Sequence, residues 1–503
     1  MTIISIDPST GTEVETVAEE TTSSQVDEIC RRAAVAAPAY DARGRGFRAT
    51  LLRAIADELE RRRERIVQIG VRETALAEQR LNGELTRTVY QARMFADLVE
   101  EGSFLEATID HAQDTPMGPG PDLRRMLVPL GPVAVFGASN FPLAFSVPGG
   151  DTMSALAAGC PVVVKAHSSH PALSQLTYDA MTTAAASVSA PDGLLGLVFG
   201  LGGGIDLVTH PAIKAVGFTG SLAGGRALMD AIARRPDPIP FYGELSSVNP
   251  IVISPGAVAA RADQIAEGLA GSVLGSAGQL CTKPGLVLVP TGRHGDRLVE
   301  LAGELVGSAP AATLLNGRIS EAYDKISSAL ANGSDARLVA EGQAASGPGY
   351  MVSPRLLEIS PSSISSGAVE ECFGPLTLIC RYRPDELTSI LDGVPGSLTA
   401  TVHAEGDESE WTTELSRLLR DKAGRLLYNG YPTGVLVSWA QHHGGPWPAA
   451  TTSLHTSVGT TAARRFQRPV TWQSAPDIVL PVELRDADPG IPRRIDGVLV
   501  PGS

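Results

Sequence analysis

Cysteine is scarce in this chain: Cys30, Cys160, Cys281, Cys372 and Cys380 are the only five among 503 residues. An odd, scattered set excludes a disulfide framework and points to a reducing compartment, the cytoplasm, where one thiol is free to be reactive. Long apolar runs are missing too. The most apolar stretch, Leu194 to Ile205, is broken by glycines and falls short of the roughly 20 residues a membrane span needs. Met1 to Pro8 carries neither a basic nor an apolar leader region. Positive charge is in deficit. With 41 Lys and Arg against 55 Asp and Glu, the formal charge of −14 opposes attraction to nucleic acid or anionic lipid. The one basic run, Arg61-Arg62-Arg63-Glu64-Arg65, lies in a helical segment of mixed sign and reads as a solvated face. Repeats and low-complexity segments are absent.

What is present is ordinary globular composition, 43% hydrophobic and 19% charged, on a chain too long for one core. Two large domains are expected. Phe47 to about Gln68 has helical spacing (Leu51, Leu52, Ile55, Leu59, Ile66), with further helix to about Glu100. Thr115 to Pro121 reads as a loop or extended excursion. From Val133 the pattern becomes βαβαβαβ: strands Val133–Phe136, Val162–Lys165, Leu197–Phe199 and Ala215–Phe218 alternate with helices at Thr152–Ala158, from Pro171 to about Val188, and at Ala223–Ala233. Ser168 and Ser169 offer an N-cap hydroxyl to the helix that begins at Pro171. Such a chain builds an α/β fold on a parallel sheet, with ligands at the carboxyl ends of its strands. A second βα region begins near Glu244, with strands Pro250–Ile253 and Leu286–Val289 around a helix from about Gln264 to Ser276. The tail from Arg464 reads as an extended strand.

Cys281 falls after that helix and before a strand, where a thiol faces a cleft, although a lone cysteine is more often an inert small hydrophobe. Glu244 sits among apolar and small residues, so desolvation is expected to raise its pKa toward that of a general base; a capping or ion-paired acid is the alternative. Asn140, at the carboxyl end of the first strand of the series, is either a turn residue or an amide donor for an oxyanion. Gly200-Leu-Gly-Gly-Gly204 follows a strand and can bring backbone N–H groups to a phosphate, but the Gly-x-Gly-x-x-Gly spacing and its later acid are missing. His167 and His170 lack a third ligand, and His442 and His443 should point apart, so no metal is expected.

Together these segments resemble the aldehyde dehydrogenase superfamily over the chain from the N-terminal helices to about Gln473. The resemblance rests on Gly278-Gln-Leu-Cys-Thr282, Gly243-Glu-Leu-Ser-Ser-Val-Asn-Pro250, Gly137-Ala-Ser-Asn-Phe-Pro142, Val162-Val-Val-Lys165, Phe218-Thr-Gly-Ser221 and Glu370-Glu-Cys-Phe-Gly-Pro375. It implies Cys281 as nucleophile, Glu244 as the base that activates hydrolytic water, and Asn140 as oxyanion donor. Lys165 then contacts the adenosine ribose, Gly220 and Ser221 the diphosphate, and Glu371 the nicotinamide ribose with Phe373 nearby; Gly200 belongs to the phosphate loop. Ser168 stands where NAD-preferring members carry a glutamate, which favours NADP and leaves NAD possible. Ser246 replaces a usual glycine beside Glu244.

The resemblance further implies a Rossmann-type cofactor domain at 1–243, interrupted by an arm at 107–129, a catalytic domain at 244–446, and a return segment with an oligomerisation strand at 447–503. A homodimer or homotetramer is expected. Within the superfamily, Lys165-Ala-His-Ser-Ser-His-Pro171, Asn429-Gly-Tyr-Pro-Thr-Gly-Val435, His443-Gly-Gly-Pro446, Thr456-Ser-Val-Gly459 and Arg464-Arg-Phe-Gln-Arg-Pro-Val470 are most similar to 2-oxoglutarate semialdehyde (2,5-dioxopentanoate) dehydrogenases. Phe145 and the loop Trp439 to Trp447 are expected at the substrate wall. The rival readings are a dehydrogenase of another semialdehyde and a silent, ligand-binding relative.

Overall fold

Short β-branched runs buried on both faces are the mark of a parallel sheet, and Val133–Phe136 and Val162–Lys165 are such a pair, Val133 opposite Val162. The computed structural model describes residues 1–332, 336–365 and 370–502. There these strands are the centre of a five-stranded, all-parallel sheet ordered Phe241–Glu244, Ala215–Thr219, Val133–Phe136, Val162–Lys165, Leu195–Val198. The strand order reverses between Val133–Phe136 and Ala215–Thr219. A crevice therefore opens at their carboxyl ends, where the Gly137–Pro142 and Gly220–Ser221 segments lie.

Two local expectations are corrected. The segment from Phe47 is not one helix but two, Gly44–Arg61 and Arg63–Thr74, jointed at Arg62 (φ −97°, ψ 11°). The joint lets Ile66, Val67 and Ile69 share one core with Leu51, Leu52, Ile55 and Leu59. The cations of the basic run turn back across the joint onto the end of the first helix: Arg62 Nε donates to Glu58 at 2.6 Å and Arg63 Nε to Glu60 at 2.7 Å. Nor does a serine hydroxyl cap the helix Pro171–Ser187. Its N-cap is His170 without a side-chain bond, and the buried Glu73 carboxylate accepts from Ala172 N (2.9 Å) and Leu173 N (2.7 Å). One carboxylate satisfies two orphan donors and suits the positive end of the helix dipole.

The second sheet has seven strands, ordered Ala336–Glu341, Arg355–Ile359, Leu376–Tyr382, Leu286–Pro290, Ile251–Ile253, Ser397–His403, Ala423–Tyr428, parallel except for the first. Its helix Pro255–Leu274 begins earlier than the pattern from Gln264 suggested, because Arg261 (φ −139°) interrupts the periodicity inside it; Ser254 Oγ accepts from Ala257 N at 3.0 Å to start the helix. Glu244 is the last residue of the first sheet rather than the entry to the second, which starts at Ile251.

The tail recrosses the molecule. Arg465 Nη2 donates to Asp151 at 2.6 Å, both side chains buried, and Phe466 enters the core around the first sheet. Gln467–Gln473 then pairs antiparallel with Leu123–Pro129 in a sheet that also holds Thr108–Asp110, Arg493–Ile495 and Val498–Val500. The stretch Thr115 to Pro121 is mostly a hairpin of Gln113–Thr115 and Gly118–Gly120. Among the described residues no helix is long and apolar enough to cross a membrane.

Candidate active site

Cys281 is held by a strained turn. After Leu274 the chain takes three left-handed residues, Ser276 (φ 52°), Ala277 (φ 57°) and Gly278 (φ 66°). A Cβ at position 278 would lie 2.2 Å from Gly374 O, so glycine is required there for space as well as conformation. Asn249 ties down the other side. Itself left-handed (φ 48°), it donates from Nδ2 to Cys281 O (2.8 Å) and Lys283 O (3.0 Å), and its Oδ1 accepts from Thr399 N, Thr399 Oγ1 and Ser247 Oγ.

The thiol meets two groups from distant parts of the chain. Cys281 Sγ lies 3.5 Å from His443 Nε2, which lies 3.1 Å from Glu244 Oε1. Ser457 Oγ donates to Glu244 Oε2 at 2.8 Å, and the loop that presents His443 is pinned by His443 N to Thr456 Oγ1 (2.8 Å) and Ser457 N to His443 O (2.9 Å). Sequence reasoning missed His443: the histidines were set aside for want of partners, and the fold supplies them from 162 and 199 residues away. Sulfur, imidazole nitrogen and carboxylate oxygen lie within 4.8 Å of one another, the spacing of a three-ligand metal cluster.

The expected upward shift at Glu244 is corrected. Burial, the largest single influence, does push its pKa up, but the charge and hydrogen bond of His443, with hydrogen bonds from Ser457 and Cys281, outweigh it and hold the carboxyl below its ordinary value. Cys281 is displaced the other way. Burial and then the negative charges of Glu244 and Glu371 push the thiol well above its ordinary value, with Arg87 opposing. The resting thiol is therefore protonated and needs a proton acceptor at hand.

Asn140 is buried beside this cluster. Its Nδ2 donates to Gln279 O at 2.9 Å, two residues before Cys281, and its carbonyl accepts from Arg80 Nη2 at 2.8 Å. Phe145 forms the adjoining wall, its ring centroid 6.0 Å from that of His443 and 5.4 Å from that of Phe141. Trp439 and Trp447 are both partly exposed, and Trp447 stacks under Arg226, whose Cζ is 4.7 Å from the ring centroid.

The residues assigned to the cofactor lie on both sides of the crevice. Lys165 ends its strand half-buried; burial, with Arg318 adding and Glu20 opposing, lowers its pKa to about 8. Ser168 is exposed in the following turn, and Ser169 Oγ accepts from Asn316 Nδ2 across the cleft at 2.6 Å. Ser221 caps the helix Leu222–Ala233 through Gly224 N (3.2 Å), and Gly220 N donates to Glu244 O (3.1 Å). Gly200 (φ 89°) precedes the helix Leu201–Thr209, where Gly202 N donates to the Glu20 carboxylate at 3.0 Å; an anion already sits at that helix end. Glu371 comes from the second sheet's side, its pKa raised to about 7 by burial against the charge of Lys283 and hydrogen bonds from Ser246 and Ser247. Phe373 packs on the core of the first sheet. A cation, two hydroxyls and a protonatable carboxyl around the carboxyl ends of a parallel sheet suit the phosphates and ribose hydroxyls of a pyridine dinucleotide.

A dinucleotide-type sheet facing a second α/β unit across a half-buried thiol is the frame of a two-part oxidoreductase. The chain belongs to the aldehyde dehydrogenase family, whose profile matches residues 1–446, and it is an NAD(P)-dependent enzyme of aldehyde oxidation. Among curated relatives it is 45% identical to α-ketoglutaric semialdehyde dehydrogenase 2 of Azospirillum brasilense, over 99% of this chain and 96% of that one. It is 41% identical to the α-ketoglutaric semialdehyde dehydrogenase of Acinetobacter baylyi, over 95% and 92%. In fold it is similar to a variant of aldehyde dehydrogenase C from Pseudomonas syringae, solved with NAD+ and octanal (TM-score 0.80, 21% identity, 97% of this chain and 94% of that one). A 1-pyrroline-5-carboxylate dehydrogenase from Thermus with bound NAD gives the same TM-score of 0.80 at 21% identity, covering 94% and 90%.

Proposed function

We propose that the enzyme oxidises 2,5-dioxopentanoate to 2-oxoglutarate, with Cys281 as nucleophile and Glu244 as base. The observation that carries this reading is the unbroken chain of contacts from Cys281 Sγ to His443 Nε2 to Glu244 Oε1. The substrate is taken from the relatives at 45% and 41% identity.

The thiol proton passes to the Glu244 carboxylate, and the single Nε2–H of His443 donates to whichever neighbour then carries the negative charge. The thiolate adds to the aldehyde carbon, forming a C–S bond and an oxyanion. One N–H of the Asn140 amide holds Gln279 O; its second, with Cys281 N–H, is left for the oxyanion, a role worth about 3 to 4 kcal/mol where such donors have been removed. When bound, the pyridine dinucleotide supplies the hydride acceptor, held by Lys165, Gly220, Ser221 and Glu371. Collapse of the oxyanion leaves a thioester on Cys281. Glu244, having released its proton to solvent, takes one from water, and the hydroxide displaces the thiolate as the carboxylic acid forms.

NADP is the favoured cofactor. No carboxylate stands at Ser168, Arg318 adds a second positive charge near Lys165, and Glu20, the acid whose charge Lys165 feels, already has one oxygen bound by Gly202 N–H. The arm at 107–129 and the tail strand Gln467–Gln473 are assigned to subunit pairing in a dimer or tetramer, with residues 1–243 as cofactor domain and 244–446 as catalytic domain. Formation of reduced cofactor from 2,5-dioxopentanoate with NADP or NAD tests the reading. Turnover in the wild type that disappears in Cys281→Ala supports it; absence of turnover in protein that still binds the dinucleotide refutes it.

A further inference from the structure

The helix Glu78–Glu101 lays one face along the active-site wall, and the polar residues on that face differ in whether they have partners. Arg80 is fully engaged: Nε donates to Ser276 Oγ (2.9 Å), Nη1 to Glu84 Oε2 (2.5 Å) and Nη2 to Asn140 O (2.8 Å). Glu84 is equally occupied, its Oε1 accepting from Leu143 N (2.8 Å) and Ala144 N (2.9 Å). One turn further on comes Arg87. Among the described residues, both of its terminal nitrogens are buried without a hydrogen-bond partner and no carboxylate pairs with it. Its Cζ lies 5.1 Å from the centroid of the Phe145 ring, whose own centroid is 6.0 Å from the His443 ring. The charged and titratable groups that face it are Glu84, Cys281, Glu244 and Arg80. A turn beyond, the buried Gln91 also has an unpartnered Nε2.

A guanidinium is among the costliest groups to bury unpaired, because it loses water on five N–H donors and keeps its charge. It is tolerated where an anion arrives to complete it, and its planar fork matches a carboxylate through two parallel bonds. Extended, a five-carbon semialdehyde separates its aldehyde and carboxyl carbons by about 5 Å, four C–C bonds of ~1.5 Å in zigzag. Arg87 and His443 both lie against the Phe145 ring, 5.1 and 6.0 Å from its centroid, so one pocket wall can meet both ends of such a molecule. We propose that Arg87 is the anion anchor of the aldehyde pocket: its guanidinium binds the carboxylate of a dicarboxylic semialdehyde against Phe145 while the aldehyde carbon meets Cys281. This assignment rests on the substrate class given above and names the residue that selects it.

The test compares wild type with Arg87→Met and Arg87→Lys, each checked by thermal unfolding and dinucleotide binding. Initial rates are taken with 2,5-dioxopentanoate and with pentanal, and glutarate is titrated as a competitor of pentanal. The expected result is a roughly 100-fold fall in the kcat/KM ratio of dioxopentanoate over pentanal in Arg87→Met, a smaller fall in Arg87→Lys, and a parallel rise in the glutarate inhibition constant. If wild type oxidises pentanal and ignores dioxopentanoate, yet glutarate competes in an Arg87-dependent way, the substrate is wrong and the anion anchor stands. If the two aldehydes lose rate in parallel and glutarate inhibition is unchanged, Arg87 acts on the thiol alone and the anchor is refuted, whatever the substrate.

Discussion

Two carboxylates act on the same thiol from the sides of the two sheets, and their pKa values are displaced in opposite directions. Glu244 ends the first sheet; Glu371 precedes the strand Leu376–Tyr382 of the second. For each, burial is the largest influence and pushes the pKa up. Glu244 nevertheless lies below its ordinary value, because one oxygen takes the His443 N–H and the other the Ser457 hydroxyl. Glu371 rises to about 7. The cation nearest to it, Lys283, spends its Nζ on Cys372 O and Leu376 O and acts on the carboxylate only through its field. Both acids accept hydrogen bonds; the charge of His443 beside Glu244, added to its hydrogen bond, outweighs burial there, whereas the field of Lys283 and the bonds from Ser246 and Ser247 do not outweigh it at Glu371, so Glu244 is the more fully ionised at neutral pH. The difference suits the assigned tasks: a base must start deprotonated, whereas a carboxyl that titrates near 7 makes ribose binding depend on pH.

Removing the group both acids face has the largest effect. Cys281→Ser is expected to lower kcat by about four orders of magnitude or more, since an alcohol beside an already ionised carboxylate lacks thiolate character. A stopped assay with residual activity within tenfold of wild type would break the assignment. Next comes the partner that separates the two acids. His443→Gln should reduce kcat by about 10²- to 10³-fold and move the acid limb of its pH profile upward. The sign follows from the balance at Glu244: with the imidazole gone, burial prevails, the carboxyl is protonated over more of the acid range, and base action fails at a higher pH. An unmoved limb would show that His443 does not control Glu244.

How much of this was legible before the fold was known depends on distance along the chain. Val133–Phe136 and Val162–Lys165 were bounded correctly because a doubly buried strand writes its apolar run in consecutive residues. Cys281, Glu244 and Asn140 were singled out because each lies in a short segment with its own signature; Cys281 and Glu244 lie within 4.8 Å of each other and of His443, and Asn140 Nδ2 donates to Gln279 O. The partners were not legible. His443 acts on a thiol 162 residues away, and its loop, rich in glycine and proline, has no periodicity to place it. Glu73 caps a helix from 99 residues upstream, so the local serines looked sufficient. The misjudged pKa of Glu244 has the same origin: burial can be guessed from neighbours in sequence, but opposing contacts come from elsewhere in the fold. Ser246 was flagged for its effect on Glu244, and its hydroxyl bears on Glu371 instead.

The remaining predictions sharpen the contrast from the Glu371 side. With a pKa of about 7, its ionised fraction rises from roughly one-tenth at pH 6 to nine-tenths at pH 8. In the role proposed for Glu371 the ionised form would accept both ribose hydroxyls, so the cofactor KM should fall up to about tenfold over that range and become independent of pH in Glu371→Gln. The linked stability runs the other way. A carboxyl raised from 4.5 to about 7 favours the folded state at low pH, and that contribution is lost as pH climbs between the two values. Thermal midpoints of the cofactor-free wild type and Glu371→Gln should therefore converge at acid pH and part at neutral pH.

Ser246→Gly carries the smallest effect and the finest discrimination. Its hydroxyl is one of the groups that lower the Glu371 pKa, against the larger upward push of burial. Deleting it should move the midpoint of the cofactor KM profile to higher pH by a fraction of a unit, raising KM at pH 7 by about two- to threefold. The acid limb of kcat, set by Glu244 and His443, should stay where it is. The opposite pattern, a fixed KM midpoint with a displaced kcat limb, would return Ser246 to Glu244. The two acids would then be one coupled system rather than two separately tuned groups.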